Sequence, residues 1–378
     1  MSESFFDLFD NLKDGKQGGS STVYKATYKK TQTTIALKKI EIDPEYPEDF
    51  ESLQNEIKFH KNIDYPLILH FYGSSTSETK SFVILEYGGE QSLLQYINNR
   101  GPLTEGQAKK FFIQLISSLQ YLHTQCHLLH SDIKLENILI DSQNNAILID
   151  FGLCCTLGSV NPGFAGTIQY TAPEVFDKVI DSTGASDIWS AGIVLYAMLE
   201  GCLPFGGELE DAEEIVHEIQ TKPLDLSESS NLSPKAKALI SRILTKNPSE
   251  RIKIQEFVND PWIADSPYAS LLSYDSTVLQ SLKRLPTTVN EIDNSIMKEI
   301  IAIGFEKRKI IEHILARSDT EDVLYYRIKK LQSILKQIYQ FRAAQYKLPR
   351  EIPLVSRIPS QIPCYTIKKK KAFMKNNN

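Results

Sequence analysis

The period of apolar positions changes near residue 90. Before that point, β-branched and aromatic runs (VYKATYKK, TIALKKI, SFVILEY) are separated by polar and glycine turns. Such runs suit a pleated, half-buried surface, so Phe9 to about Leu85 reads as strand-rich. Pro47–Asn62 departs from this. Phe50, Leu53 and Ile57 fall on one face at helical spacing, and acids crowd the first turn, which predicts a helix. From Leu93 onward helical spacing dominates. Ala108–His123 carries Phe111, Phe112, Leu115, Ile116, Leu119 and Leu122 at helical intervals, and Ile188–Leu199 is apolar nearly all round, as in a buried central helix. Short strands in ENILID and NAILIDFG interrupt the helices. A strand-rich lobe followed by a helical one predicts an α+β molecule with a cleft between its lobes, and such clefts bind ligands.

A turn-rich stretch, DSPYASLLSYDS, begins at Asp265 and reads as a boundary. Beyond it, Ile292–Ile303, Lys307–Leu315 and Glu321–Leu331 predict three short helices, joined by Gly304–Phe305 and by Ala316–Thr320. The end, IKKKKAFMKNNN, is basic and then asparagine-rich, and no fixed structure is expected of it.

Composition narrows the class. The chain has 378 residues, 42% hydrophobic and 24% charged, so one to three packed domains are expected. A net charge of −5 argues against nucleic acid or an acidic membrane as the main partner. The cysteines (Cys126, Cys154, Cys155, Cys202, Cys364) are odd in number and lack CxxC spacing, which fits a reducing compartment better than a disulfide framework or a zinc site. The N-terminus has acids where a signal peptide would be basic, and the longest apolar stretch, Ala191–Leu199, is too short to span a bilayer. The expected location is the cytoplasm. The Lys368–Lys371 run is the feature that would suit the nucleus or a lipid contact, and a solvated tail is the simpler reading.

The candidate chemistry lies in LLHSDIKLENIL at 128–139 and in DFG at 150–152. Phosphoryl transfer asks for charge neutralisation and alignment more than for covalent chemistry. Asp132 is suited to accept the proton of an attacking hydroxyl, and Lys134 to lie beside the transferring phosphate. Asn137 and Asp150 are suited to hold Mg2+ through oxygen, as a hard cation prefers. This order and spacing resemble the catalytic core of the eukaryotic protein kinases, in which H-R-D-x-K-x-x-N precedes D-F-G. The resemblance runs from about Leu8 to Ile263 and includes IALK (Lys38), NEIKFH (Glu56), YTAPE (Ala172–Glu174), SDIWSAG (Asp187) and NPSERI (Arg251). A lone DFG would mean nothing, whereas the ordered series is specific.

The resemblance implies a two-lobed kinase fold with ATP and Mg2+ as cofactors and proteins as substrates. The small lobe, with a helix C, would cover 8–85, the hinge 86–90, and a mainly helical large lobe 91–263. Lys38 would contact the α- and β-phosphates and pair with Glu56; taken alone, it reads as a solvated strand lysine. Glu86–Gly88 would present backbone to adenine behind a gatekeeper, Leu85, with Val23, Ala36 and Leu139 sandwiching the base. Phe71, His60, Phe151 and His130 would stack in the column that marks the active state, where His60 replaces an aliphatic residue. Glu174 and Arg251 would form a buried structural pair, and Asp187 would brace the catalytic loop. The glycine loop departs from the family pattern. In GKQGGSSTVYKA, counting back from Val23, Gly18 alone falls in register, Lys16 and Ser21 stand at glycine positions, and Gly15 implies a one-residue insertion.

Lys134 together with GTIQYTAPE resembles the serine/threonine kinases, in which Thr167 would hydrogen-bond near Asp132 and Lys134. IVLYAMLEGCLPFGG and NDPWIAD resemble the calmodulin-dependent and AMP-activated-like branch. After a linker at 264–289, residues 290–332 resemble that branch's ubiquitin-associated-like helical module, and 333–378 form a C-terminal extension. The resemblance implies an intramolecular contact of this module with the kinase domain and makes ubiquitin a disfavoured partner. A generic helical extension is the alternative.

Ser131 stands where the family has an arginine that binds a phosphothreonine in the activation loop. That threonine would lie four residues before Thr167, at Gly163. Receiver and donor are both missing, which implies activity without activation-loop phosphorylation, although Thr156 and Ser159 remain as acceptors. Glu136 would read a basic residue upstream of the target. Its companion acid aligns with Ser92, with Glu90 two positions earlier; otherwise Glu136 is a solvated loop acid. Cys154 and Cys155 read as space-filling more than oxidation-sensitive. Two other classes stay open: a pseudokinase scaffold, and an adaptor that binds ubiquitin through the C-terminal helices.

Overall fold

Five antiparallel strands build the small lobe in the order β1 (Phe9–Gln17), β2 (Ser21–Tyr28), β3 (Thr33–Glu41), β5 (Lys80–Glu86) and β4 (Phe71–Thr76). The computed structural model describes residues 7–343 apart from 18–20, 44–46, 160–166, 228, 230–231, 274–281 and 283–284. The register of β1 against β2 shifts between Asp10 and Lys13 and again between Lys13 and Lys16, so β1 carries extra residues as bulges. One of these segments holds Gly15. A Cβ there would lie 2.3 Å from Thr22 Cγ2, so the inserted residue must be small.

α1 (Pro47–His60) packs Leu53 and Ile57 against Phe71 and Val83. Phe50, expected on the same face, is 40% exposed. The small cluster under this helix offers the first turn no apolar partner, so the buried face begins at Leu53.

The large lobe contains α2 (Leu93–Arg100), α3 (Glu105–Tyr121), α4 (Pro173–Phe176), α5 (Ala185–Glu200), α6 (Ala212–Thr221), α7 (Pro234–Ile243) and α8 (Pro261–Ala264). α5 is enclosed on almost every side, as its uniform apolar sequence requires. Between α3 and α4 lie β7 (Leu128–Leu129), β8 (Ile138–Ile140), β9 (Ala146–Leu148) and β10 (Cys155–Thr156); β6 (Gln91–Ser92) pairs with β8, and β7 with β10. Packing against the large lobe continues past the expected boundary at Asp265. Tyr268, Leu271 and Leu272 are buried in the large-lobe core, and Ser117 on α3 donates to the Leu271 carbonyl at 2.7 Å.

The last three helices are α9 (Asn294–Ala302), α10 (Lys307–Leu315) and α11 (Glu321–Arg342). α11 does not stop at Leu331. Ile334 and Ile338 continue its buried stripe at helical spacing, and the helix runs on with them. Side chains alternate across β3. Ala36 and Lys38 face the cleft, while Ile35 and Leu37 join Tyr72, Phe82 and Ile84 in one apolar cluster with α9–α11. No helix among the described residues is long and apolar enough to cross a membrane.

Candidate active site

Register fixes the cleft face of β3. Lys38 lies opposite Val23 on β2 and Val83 on β5. From there its Nζ donates to Glu56 Oε1 on α1 at 2.7 Å and to Asp150 Oδ1 at 3.2 Å. Burial works against a charge on Lys38, but the carboxylates of Asp150 and Glu56 outweigh it and raise its pKa. The Lys38 ammonium in turn holds the Asp150 carboxyl down at about 2. Glu56 is pushed up by burial, with Lys38 pulling the other way.

The catalytic loop hangs from α5. The carboxylate of Asp187, almost fully buried, accepts from the backbone N–H of His130 at 2.8 Å and of Ser131 at 2.9 Å, and also contacts His123 Nε2 at 2.8 Å. Ser131 and Asp150 both adopt left-handed backbone, at φ 64° and 66°. Such conformations persist where surrounding bonds over-determine them, and the Asp187 clamp does so for Ser131. Asp132 N–H donates to His130 Nδ1 at 3.3 Å, which leaves Nε2 to carry the proton donated to the Ile149 carbonyl at 3.0 Å.

Two predicted residues converge on the carboxylate of a third. Lys134 Nζ donates to both Asp132 oxygens, at 2.9 and 2.8 Å, and Asn137 Nδ2 donates to Asp132 Oδ2 at 2.8 Å and to its carbonyl at 2.9 Å. With its amide N–H groups committed, Asn137 keeps Oδ1 unbonded among the described residues, as Asp150 keeps Oδ2. One amide oxygen and one carboxylate oxygen suit Mg2+, which takes few protein ligands and completes its shell with phosphate and water. Among the described residues no cluster of three or more His, Cys, Asp or Glu could hold a metal.

At the nucleotide end, Ala36 is buried, Leu139 half-buried and Val23 39% exposed, as on an open slot. Gly88 is needed here, since a Cβ would lie 2.6 Å from Leu69 Cδ1 and 3.1 Å from Leu139 Cδ1. The Glu86 side chain turns to the back of the hinge, where Oε2 accepts from His70 N–H at 3.2 Å. Gly18 lies outside the described residues. The stacked column is assembled. His60 sits 5.7 Å from Phe71 and 4.7 Å from Phe151 between ring centroids, His130 is 5.1 Å from Phe151, and His60 Nε2 bonds the Leu69 carbonyl at 2.8 Å. Below it, Arg251 grips both oxygens of Glu174 at 2.6 and 2.9 Å in a buried fork.

Several expectations need correction. Thr167 makes no side-chain hydrogen bond to Asp132 or Lys134 among the described residues; Lys134 instead bonds both oxygens of Asp132. Glu136 is not a solvated acid. Its Oε2 is buried without a hydrogen-bond partner among the described residues, and burial pushes its carboxyl up. Ser92 is the N-cap of α2, in a capping box with Gln95, which accounts for serine there. Ser131 Oγ meets Cys155 Sγ at 3.6 Å, and burial pushes both the Cys154 and the Cys155 thiols up, away from the reactive thiolate. Pro162 and Gly163 lie outside the described residues.

Two cations escaped the sequence reading. Lys25 on β2 bridges the cleft mouth, with Nζ 2.7 Å from Glu90 Oε1 and 4.3 Å from the centroid of the Tyr87 ring. Arg342, the last residue of α11, reaches the back of the hinge. The continued apolar period of α11 was the available signal for Arg342; nothing in the motif marks Lys25.

A family model described as the protein kinase domain matches residues 15–263. Among similar proteins, the probable serine/threonine-protein kinase MARK-A of Dictyostelium discoideum is 32% identical over 68% of this chain, and covers 24% of its own length. The carbon catabolite-derepressing protein kinase of Candida tropicalis is 31% identical over 80% of this chain and 48% of its own length. Serine/threonine-protein kinase SIK2 of Gallus gallus is 26% identical over 90% of this chain and 41% of its own length. The chain therefore spans less than half the length of these relatives.

Proposed function

Because the chain belongs to the protein kinase family, in the branch of its SNF1-, MARK- and SIK-like serine/threonine relatives, we propose that it transfers the γ-phosphoryl group of ATP to serine and threonine hydroxyls of proteins. The observation that carries this reading is the convergence of Lys134 and Asn137 on Asp132 in the same molecule that forms the Lys38–Glu56 pair. Asp132 orients the substrate hydroxyl and accepts its proton, and Lys134 neutralises the phosphate arriving beside it. Lys38, held by Glu56, steadies the other phosphates, while Gly88, Ala36, Val23 and Leu139 enclose the base. Mg2+, when held by Asn137 and Asp150, supplies charge stabilisation of the phosphates. A phosphate-transfer assay with radiolabelled ATP and a peptide library tests this. Asp150→Ala should lose at least about a hundredfold; equal signals from both proteins, or none from either, would point to a scaffold.

The reading extends to control. The Ser131–Cys155 contact supports a catalytic loop that meets the activation segment without a phosphate. Phosphatase-treated protein made in bacteria should keep its activity; a fall to background would remove this part. Glu136, with a buried oxygen lacking a partner, supports selection of a basic residue upstream of the target. The C-terminal helices act, in this reading, as an intramolecular part of the small lobe and not as a ubiquitin receptor. Phe305 of the Gly-Phe turn packs with the small-lobe cluster, 5.3 Å from Lys30 Nζ, and Lys30 pairs with Glu321 at 2.6 Å.

A further inference from the structure

Behind the hinge lies a buried charged group that the reaction does not use. Arg342 is 2% exposed. Its Nε donates to the Pro66 carbonyl at 2.7 Å, Nη1 to Asp141 Oδ2 at 3.1 Å, and Nη2 to Glu86 Oε1 at 3.4 Å. Its own carbonyl accepts from Gln114 Nε2 on α3 at 2.9 Å. One residue thus joins the segment before β4, the turn after β8, α3 and the hinge.

We propose that Arg342 is a positioning residue for the nucleotide site: it fixes the conformation of the adenine-facing hinge from behind, so the nucleotide-binding unit extends to residue 342. This inference rests on the kinase reading. The Glu86 and Asp141 side chains are both largely buried, and removing the cation between them would take away a compensating charge from both. Asp141 has other donors, the backbone N–H groups of Gln143 and Asn145, at 2.9 and 2.8 Å. Glu86 is the member that ties the clasp to the hinge. It ends β5, and its backbone N–H bonds the His70 carbonyl at 2.9 Å while its side chain accepts from the N–H of the same His70. Carboxylate and backbone of Glu86 are thus both tied to His70, so a displaced carboxylate pulls on the hinge backbone that would face adenine. The arm from Arg342 to Glu86 is the longest of the three, so the guanidinium acts there more as a neighbouring charge than as a tight hydrogen bond. The clasp coexists with a formed Lys38–Glu56 pair and an assembled column, which makes it a support of the competent arrangement and not a restraint upon it.

The test compares the full chain with Arg342→Met and Ile338→Ala, the latter fully buried one turn earlier in α11. Arg342→Met should raise the KM for ATP and the Kd of a fluorescent ATP analogue about tenfold, leave the KM for a peptide substrate unchanged, and speed amide exchange at residues 86–88. Glu86→Gln in the Arg342→Met background should recover part of the loss, because it lowers the buried negative charge that Arg342 had balanced. Ile338→Ala should lower the melting temperature without moving the Kd. Equal Kd values for Arg342→Met and wild type, an equal rise with Ile338→Ala, or higher activity in Arg342→Met would each overturn the proposal. A wild type that binds no nucleotide would refute the kinase reading, and hinge exchange in Arg342→Met would then decide the bracing on its own.

Discussion

Two cations in this molecule each stand between two carboxylates. At the front of the small lobe, Lys38 meets Glu56 at 2.7 Å and Asp150 at 3.2 Å. At the back of the hinge, Arg342 meets Asp141 at 3.1 Å and Glu86 at 3.4 Å. The first cation is a compact charge on a flexible stem, and one of its partners keeps an unbonded oxygen toward the cleft. Such a charge can be shared with an incoming phosphate. The second is a planar fork whose arms end on separate, buried segments of chain, so it fixes geometry. The difference separates a charge that takes part in chemistry from one that sets shape.

The largest break in this comparison should come from Lys38→Met. Phosphate transfer should fall at least about a hundredfold, with a single cooperative melt retained. A folded variant with more than a tenth of wild-type turnover would contradict the role given to the front cation. Arg327 offers a sharper contrast. It is buried as deeply as Arg342, but it makes one hydrogen bond, to the Tyr72 carbonyl at 2.7 Å, and among the described residues its Nε and Nη2 have no partner. Burial lowers its pKa to about 10, with Asp319 opposing. A poorly satisfied buried charge contributes little net stability, so Arg327→Met should lower the unfolding free energy by less than about 1 kcal/mol or raise it, unlike Arg342→Met. A loss of several kcal/mol would show that the contact with β4 is worth more than its bonds suggest. The smallest effect belongs to the exposed cation. Lys25→Met should weaken nucleotide binding by about two- to threefold at low salt and not at all at high salt, as for other surface pairs. Titration of Kd against ionic strength checks it.

How much of this was legible in the sequence follows the same division. Lys38 and Glu56 stand eighteen residues apart on a strand and a helix whose apolar patterns declare them, and Asp132, Lys134, Asn137 and Asp150 share two short motifs. Chemistry at fixed spacing leaves a local signature. Arg342 has none, because its partners lie 201 and 256 residues away and nothing around it is periodic except the helix that delivers it. Glu86 was legible as hinge backbone, but the use of its side chain was not. Thr167 failed for the opposite reason. A motif names the neighbour a residue usually has, while the actual bond depends on geometry that the motif does not carry; here Lys134 bonds Asp132 and not Thr167.

α11 has 22 residues and is therefore about 33 Å long. Near its start Arg327 holds β4 of the small lobe, and at its end Arg342 holds Asp141 of the large lobe. A helix of that length behaves as a strut and hardly compresses. A motion that shifts Tyr72 relative to Asp141 must strain one of the two footings. The aperture at the front is in this way tied to a joint at the rear, where a pair of fluorophores could follow it without touching the nucleotide site.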